Sequence, residues 1–134
     1  MPTTITHDNS VFTSANNTPA FDGRISLASD SLVVAADGFL IAAGANARGV
    51  VLNTGPVWKV TINGSVVSQQ SDGLLLAGGT GSKASTITIG AEGAVQGATA
   101  GLLLRGTANV TNAGSIASAT TATATTVRCM SPER

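Results

Sequence analysis

Apolar and polar residues alternate along this chain in short bursts, and the bursts recur in a fixed order. Four alternating segments come first in each unit: Leu32-Val33-Val34-Ala35-Ala36, Trp58-Lys59-Val60-Thr61-Ile62, Thr86-Ile87-Thr88-Ile89 and Asn109-Val110-Thr111. Each leads to a glycine corner, at Asp37-Gly38, Asn63-Gly64, Glu92-Gly93 and Ala113-Gly114. A second short apolar run follows each corner: Phe39-Leu40-Ile41, Ser65-Val66-Val67, Ala94-Val95-Gln96 and Ser115-Ile116-Ala117. The third element is Gly49-Val50-Val51-Leu52, then Gly73-Leu74-Leu75-Leu76, then Gly101-Leu102-Leu103-Leu104. Period-2 alternation bounded by glycine predicts strands, and no long stretch carries the 3.6-residue period of a helix.

A unit of three short strands is too small to enclose its own apolar face, so it must bury that face by stacking on its neighbours. In such a stack each strand pairs in parallel with its counterpart one turn on, roughly 4.8 Å away, and equivalent side chains must match. Val60, Ile87 or Ile89, and Val110 are the expected interior residues, with Leu75 over Leu103 as an aliphatic ladder. Thr61, Thr88 and Thr111 are the expected outward row, where β-branched residues suit a pleated surface. Glycine at the corners is expected from φ > 0 or from close backbone approach. The fold class is therefore all-β, a parallel β-helix (β-solenoid) of about three to four coils. The alternative is an antiparallel β-sandwich, because Asn63-Gly64 and Asp37-Gly38 are also hairpin dipeptides. Hairpins account for each corner singly but do not require the same Gly-Leu-Leu-Leu element after it.

The ends depart from the repeat. Residues 1–31 read as an irregular N-terminal cap or partial coil with one strand around Arg24-Ile25-Ser26-Leu27. Residues 32–118 carry the β-helix repeats. Residues 119–134 begin as an Ala/Thr low-complexity run and read as a disordered tail. A stack ending near Ser118 presents an open strand edge, which invites pairing unless something covers it.

Composition narrows the chemistry. Hydrophobic residues are 43% of the chain but aromatics only 3%, so the core is aliphatic. Seven basic side chains balance seven acidic ones, leaving no field to gather nucleic acid or anionic lipid. No apolar run approaches the roughly 18 residues of a membrane span, and the N-terminus lacks the basic and apolar regions of a Sec-type signal peptide. The single cysteine, Cys129, precludes an intramolecular disulfide or a cysteine metal cluster.

Each candidate for chemistry has a plainer reading. His7 is the one imidazole and lies in the polar N-terminus, without a Gly-x-Ser-x-Gly nucleophile motif to serve. Asp37 and Glu92 share a corner position with Asn63 between them. That places them two coils apart, roughly 9–10 Å, beyond the spacing of a retaining glycosidase pair. Gly79-Thr80-Gly81-Ser82-Lys83-Ala84 loosely fits a dinucleotide fingerprint but opens no helix. Three Asn-x-Ser/Thr triplets, at Asn16, Asn63 and Asn109, are expected by chance in a chain so rich in these residues. Trp58 is expected in the core. No catalytic, cofactor-binding or metal residue is assigned, and the chain is expected not to be an enzyme.

The segments Val60-Thr61-Ile62-Asn63-Gly64-Ser65-Val66 and Val110-Thr111-Asn112-Ala113-Gly114-Ser115-Ile116, linked to Gly-Leu-Leu-Leu elements, resemble the degenerate repeats of large bacterial exoproteins. These include autotransporter passengers, filamentous adhesins and type I-secreted repeat proteins. The resemblance covers residues 32 to 118 and implies a right-handed parallel β-helix and a secreted or cell-surface location. It also implies a non-catalytic structural or adhesive role, the alternative being a fragment of a carbohydrate-active β-helix enzyme. The partners to expect are surface carbohydrate or protein, or self-association through open coil ends, with no nucleic acid and no membrane span. The calcium-binding nonapeptide of the type I-secreted group has no match here, because Gly78-Gly79-Thr80-Gly81-Ser82-Lys83 puts Lys83 where an Asp ligand belongs.

Overall fold

The computed structural model describes residues 2–22, 31–52, 57–76, 85–105, 108–118 and 127–129. The described residues contain strands and one 3₁₀ turn, His7–Asn9, with no α-helix. In chain order, the first coil comprises β1 (Pro2–Ile5), β2 (Val11–Thr13) and β3 (Phe21–Asp22). The second comprises β4 (Ser31–Val34), β5 (Phe39–Ala42) and β6 (Val50–Leu52). The third comprises β7 (Lys59–Ile62), β8 (Ser65–Ser68) and β9 (Leu74–Leu76). The fourth comprises β10 (Ser85–Ile89), β11 (Ala94–Gly97) and β12 (Leu102–Leu104). The last comprises β13 (Ala108–Asn112), β14 (Ser115–Ser118) and β15 (Val127–Cys129).

Every third strand joins the same sheet. Sheet A has the order β1-β4-β7-β10-β13, sheet B β2-β5-β8-β11-β14 and sheet C β3-β6-β9-β12-β15. All pairings are parallel, which rules out the antiparallel sandwich and establishes a β-solenoid. Three turns, Ser31 to Leu104, carry the buried core, and a thinner coil flanks them at each end. The N-terminal region contributes a strand to every sheet, and the C-terminal region returns to the stack as β15 beside β12. The expected strand at Arg24–Leu27 and the Ala/Thr run lie outside the described residues.

Like stacks on like inside. In sheet A the columns Leu32–Val60–Ile87–Val110 and Ile5–Val34–Ile62–Ile89 are in register. In sheet B the column is Val11–Leu40–Val66–Val95–Ile116. In sheet C, Val50–Leu74–Leu102 and Leu52–Leu76–Leu104 are fully buried. Complete burial of each such side chain stabilises the fold by about 1.5–3 kcal/mol, so a column of matched residues sets the register as it forms the core. Ile87 and Ile89 are both buried, while Val110, in the last coil, is half-buried. Trp58 is 1% exposed and belongs to the same core.

Two expectations become more definite. Leu75 does stack on Leu103, but the core takes the leucines on either side, and Leu75 belongs to the opposite face of sheet C. Among the described residues, no glycine takes a left-handed φ, which occurs instead at Asn17 (58°) and Asn46 (57°), where a short polar side chain tolerates that region. Glycine is needed for proximity. A Cβ on Gly64 would run into the carbonyl oxygens of Gly38 and Ala35, and one on Gly114 into those of Gly93 and Gly90. The ladder passes straight through these corners, with the Ser65, Ala94 and Ser115 N–H groups donating to Gly38, Gly64 and Gly93 at 3.1, 2.9 and 3.1 Å.

Candidate interaction faces

The three sheets present three outer faces of different character. On sheet A, Thr61, Thr88 and Thr111 form the expected outward row, continued by Val33 and Thr4. Thr61 and Thr88 are half-buried and Thr111 is exposed. The neighbouring outward column is Ser31–Lys59–Thr86–Asn109, in which Lys59 is the one charge.

Sheet B carries a face that alternation does not announce. Phe12, Ile41, Val67, Gln96 and Ala117 stack in register on the side away from the core. Phe12 is 59% exposed, and Ile41 and Val67 are half-buried. Phe39, two residues before Ile41, shares their side of β5. The signal available in the sequence is Phe39-Leu40-Ile41-Ala42, apolar at every position where a one-sided strand would alternate.

Sheet C is closed on both sides in its second and third coils. Val51 and Leu75 point away from the core yet are only 5% and 4% exposed. The outer surface of this sheet is therefore not available for binding at these positions.

Where sheet B passes to sheet C, polar side chains converge. Arg48 Nε donates to Asp72 Oδ2 at 2.9 Å, and the Thr99 hydroxyl donates to Asp72 Oδ1 at 3.1 Å. Ser68 donates to the Ala47 carbonyl at 2.6 Å and accepts the Ser71 N–H at 2.8 Å. These groups come from three successive coils and tie the loops together. Both Asp72 oxygens are engaged, so its chemistry is that of a tether.

The remaining candidates stay apart. His7 lies in the 3₁₀ turn, 3.8 Å from Asp8, with side chains 74% and 100% exposed, so both are solvated. Asp37 and Glu92 are exposed in four-residue corners closed by the Gly38 and Gly93 N–H bonds to Ala35 and Gly90. Asn63 is not their equivalent, since its N–H pairs with Val34 as that of Gly90 pairs with Ile62, one position after each strand. Asn16 uses its side-chain oxygen to accept the Ala45 N–H at 2.9 Å. The segment containing Gly78 to Ala84 lies outside the described residues. Among the described residues no group of three or more His, Cys, Asp or Glu is placed to hold a metal, and every buried side-chain nitrogen and oxygen has a hydrogen-bond partner. No described helix is long and apolar enough to cross a membrane.

Fold and faces define a β-solenoid repeat protein. No family model, curated protein or solved structure matches the chain.

Proposed function

We infer that this chain is a non-catalytic structural or adhesive repeat segment of a secreted or cell-surface bacterial protein. The reading is carried by the outer face of sheet A, where Thr61, Thr88 and Thr111 repeat in register about 4.8 Å apart on a hydrogen-bonded platform. Such a row offers hydroxyl and methyl groups at a fixed pitch, suited to a repeating partner such as a surface carbohydrate or an extended protein segment. The compartment follows from the resemblance of the repeats to exoproteins and rests on it alone.

The carbohydrate-active alternative needs two carboxyl groups converging on one groove, within about 10 Å of each other. Asp37 and Glu92 occupy corners of the second and fourth coils with the third between them, and Asp72 is held by Arg48 and Thr99. These placements favour the scaffold.

The test is a panel of acidic and neutral polysaccharides, assayed for both retention of the protein and release of reducing ends. Retention without release, lost on Thr61→Lys with Thr88→Lys and unaffected by Asp37→Asn, is the expected outcome. Reproducible release of reducing ends abolished by Asp37→Asn or Glu92→Gln would replace the scaffold with an enzyme.

A further inference from the structure

The glycine corner between sheets A and B recurs from the second coil to the last, and in the third coil its chemistry differs. At Gly38 and Gly93 the glycine N–H donates within the turn, to the carbonyls of Ala35 and Gly90 at 2.8 and 2.9 Å. At Gly114 it donates to the Asn112 side-chain oxygen at 2.9 Å. The third coil turns on Asn63 and Gly64 alone, and Ile62, which holds the place of Asn112 in the ladder, offers no side-chain acceptor. Among the described residues the Gly64 N–H has no hydrogen-bond partner, an uncommon state for a backbone donor. The Asn63 side-chain amide also has none. It lies against Gly90 of the next coil, where a Cβ would run into its oxygen. Asn63 is half-buried, and every buried side-chain nitrogen and oxygen among the described residues is partnered, so this amide is within reach of water.

A free peptide nitrogen directly after a free carboxamide is the pair that closes a cyclic imide. The two groups are already held in one molecule, which replaces a bimolecular encounter, and glycine brings no Cβ to obstruct the ring. The aspartyl-glycine pairs of the described corners lack this arrangement. The Gly38 N–H is donated to Ala35 and the Gly73 N–H to Ala100, at 2.8 and 2.9 Å, and Asp72 is held by Arg48 and Thr99.

We propose that Asn63 is a site of spontaneous deamidation in the folded protein, with the Gly64 nitrogen as nucleophile. That nitrogen attacks Asn63 Cγ and gives its proton to water. The bond from Cγ to Nδ2 breaks, and Nδ2 takes up a proton and leaves as ammonia. Water then opens the imide at either carbonyl, so that one water is consumed for each ammonia released and nothing is oxidised or reduced. Opening at Cγ leaves aspartate on an unchanged main chain. Opening at the backbone carbonyl leaves isoaspartate, whose main chain runs through Cβ and Cγ and is one atom longer. The corner distinguishes the two products. A Cβ on Gly64 would run into the carbonyl oxygens of Gly38 and Ala35, and the ladder continues on both sides, from Ser65 N–H to Gly38 O at 3.1 Å and from Ala94 N–H to Gly64 O at 2.9 Å. A corner without room for a Cβ has none for a further backbone atom, so isoaspartate breaks the register of β7 and β8 where aspartate keeps it. The third coil thus carries an irreversible clock, independent of what the outer faces bind.

Ageing of the full chain in mildly alkaline buffer, followed by peptide mapping with mass spectrometry and an isoaspartyl methyltransferase assay, tests the proposal. Position 63 should convert before the other described asparagines, and Asn63→Gln, which must close a larger ring, should slow conversion there about tenfold or more. The aged isoaspartyl fraction, followed by Trp58 emission, should melt below fresh protein. Asn63→Asp carries the same charge on an unlengthened main chain and should melt close to fresh protein. Retention of the Asn63 amide in the folded chain for as long as the urea-unfolded chain takes to lose it would overturn the proposal. So would earlier loss at another described asparagine, or a conversion rate that tracks the unfolded fraction. An isoaspartyl fraction as stable as Asn63→Asp would overturn the break in register.

Discussion

A Cβ placed on Gly73 would lie 2.6 Å from the carbonyl oxygen of Gly101 in the next coil, and one on Gly49 would lie 2.6 Å from the carbonyl of Gly73. The glycines that open the Gly-Leu-Leu-Leu elements thus form a column in which backbone rests on backbone. Neither partner is the end of a flexible side chain, so neither can swing away. Gly73→Ala is expected to destabilise the fold by about 2 kcal/mol, the cost of overpacking a tightly fitted site. Gly90→Ala meets chiefly the side-chain oxygen of Asn63, which can rotate, and should cost less than about 1 kcal/mol. Urea midpoints of the two variants give the comparison, and equal losses would contradict the backbone column.

Neighbouring residues on β7 should respond oppositely to charge. Ile62 is fully buried between Val34 and Ile89, while Thr61 faces outward between Val33 and Thr88. Ile62→Asp buries a carboxylate among aliphatic side chains and is expected to abolish cooperative folding, a loss above about 4 kcal/mol. Thr61→Asp should cost less than about 1 kcal/mol. Thermal melts followed by circular dichroism distinguish the two, and similar melting temperatures would mean that the faces are exchanged.

The columns of sheet A were legible because chemistry repeats at equivalent places: Val60 and Ile87 inside, Thr61, Thr88 and Thr111 outside. The face of the leucine element was not, because three identical residues carry no alternation from which to choose. Corner register was obscured by a difference in length. Asn63-Gly64 turns in two residues, whereas the corner at Asp37-Gly38 begins at Ala35, so similar dipeptides occupy different positions. The N-terminal coil looked irregular for a physical reason. Asn9 and Ser10 supply by side chain the bonds that a preceding coil would supply by backbone, and that substitution gives the segment the polar composition of a loop.

Asp72 gives a prediction about coupling between coils. Its carboxylate accepts from Arg48 on the preceding coil and from Thr99 on the following one. The Asp72 side chain is 10% exposed and that of Arg48 32%, so solvent screens the pair only in part. Asp72→Ala strands both donors and should cost about 2 kcal/mol. In a double-mutant cycle with Arg48→Met, the coupling should be at least about 0.5 kcal/mol and should persist in moderate salt. A coupling of zero would reduce the contact to two side chains that merely lie near each other.

Trp58 and Ser85 define a final test inside the core. The Trp58 backbone N–H donates to the Ser85 hydroxyl at 2.9 Å, and both residues are buried, at 1% and 0% exposure. Ser85 stands where the columns above and below are apolar, and its hydroxyl is retained because it accepts a backbone donor that has no access to water. Ser85→Ala removes that acceptor and is expected to cost about 1–2 kcal/mol, although alanine is the more apolar residue. Ser85→Thr keeps the hydroxyl and serves as the control for the acceptor itself. Because Trp58 is the one tryptophan of the chain, its fluorescence reports this coil directly. Emission should be blue-shifted and shielded from iodide in the native protein, and should move to the solvent-exposed wavelength at a lower urea concentration in Ser85→Ala. A variant as stable as the parent would show that apolar gain offsets the lost acceptor and that the hydroxyl is dispensable to the stack.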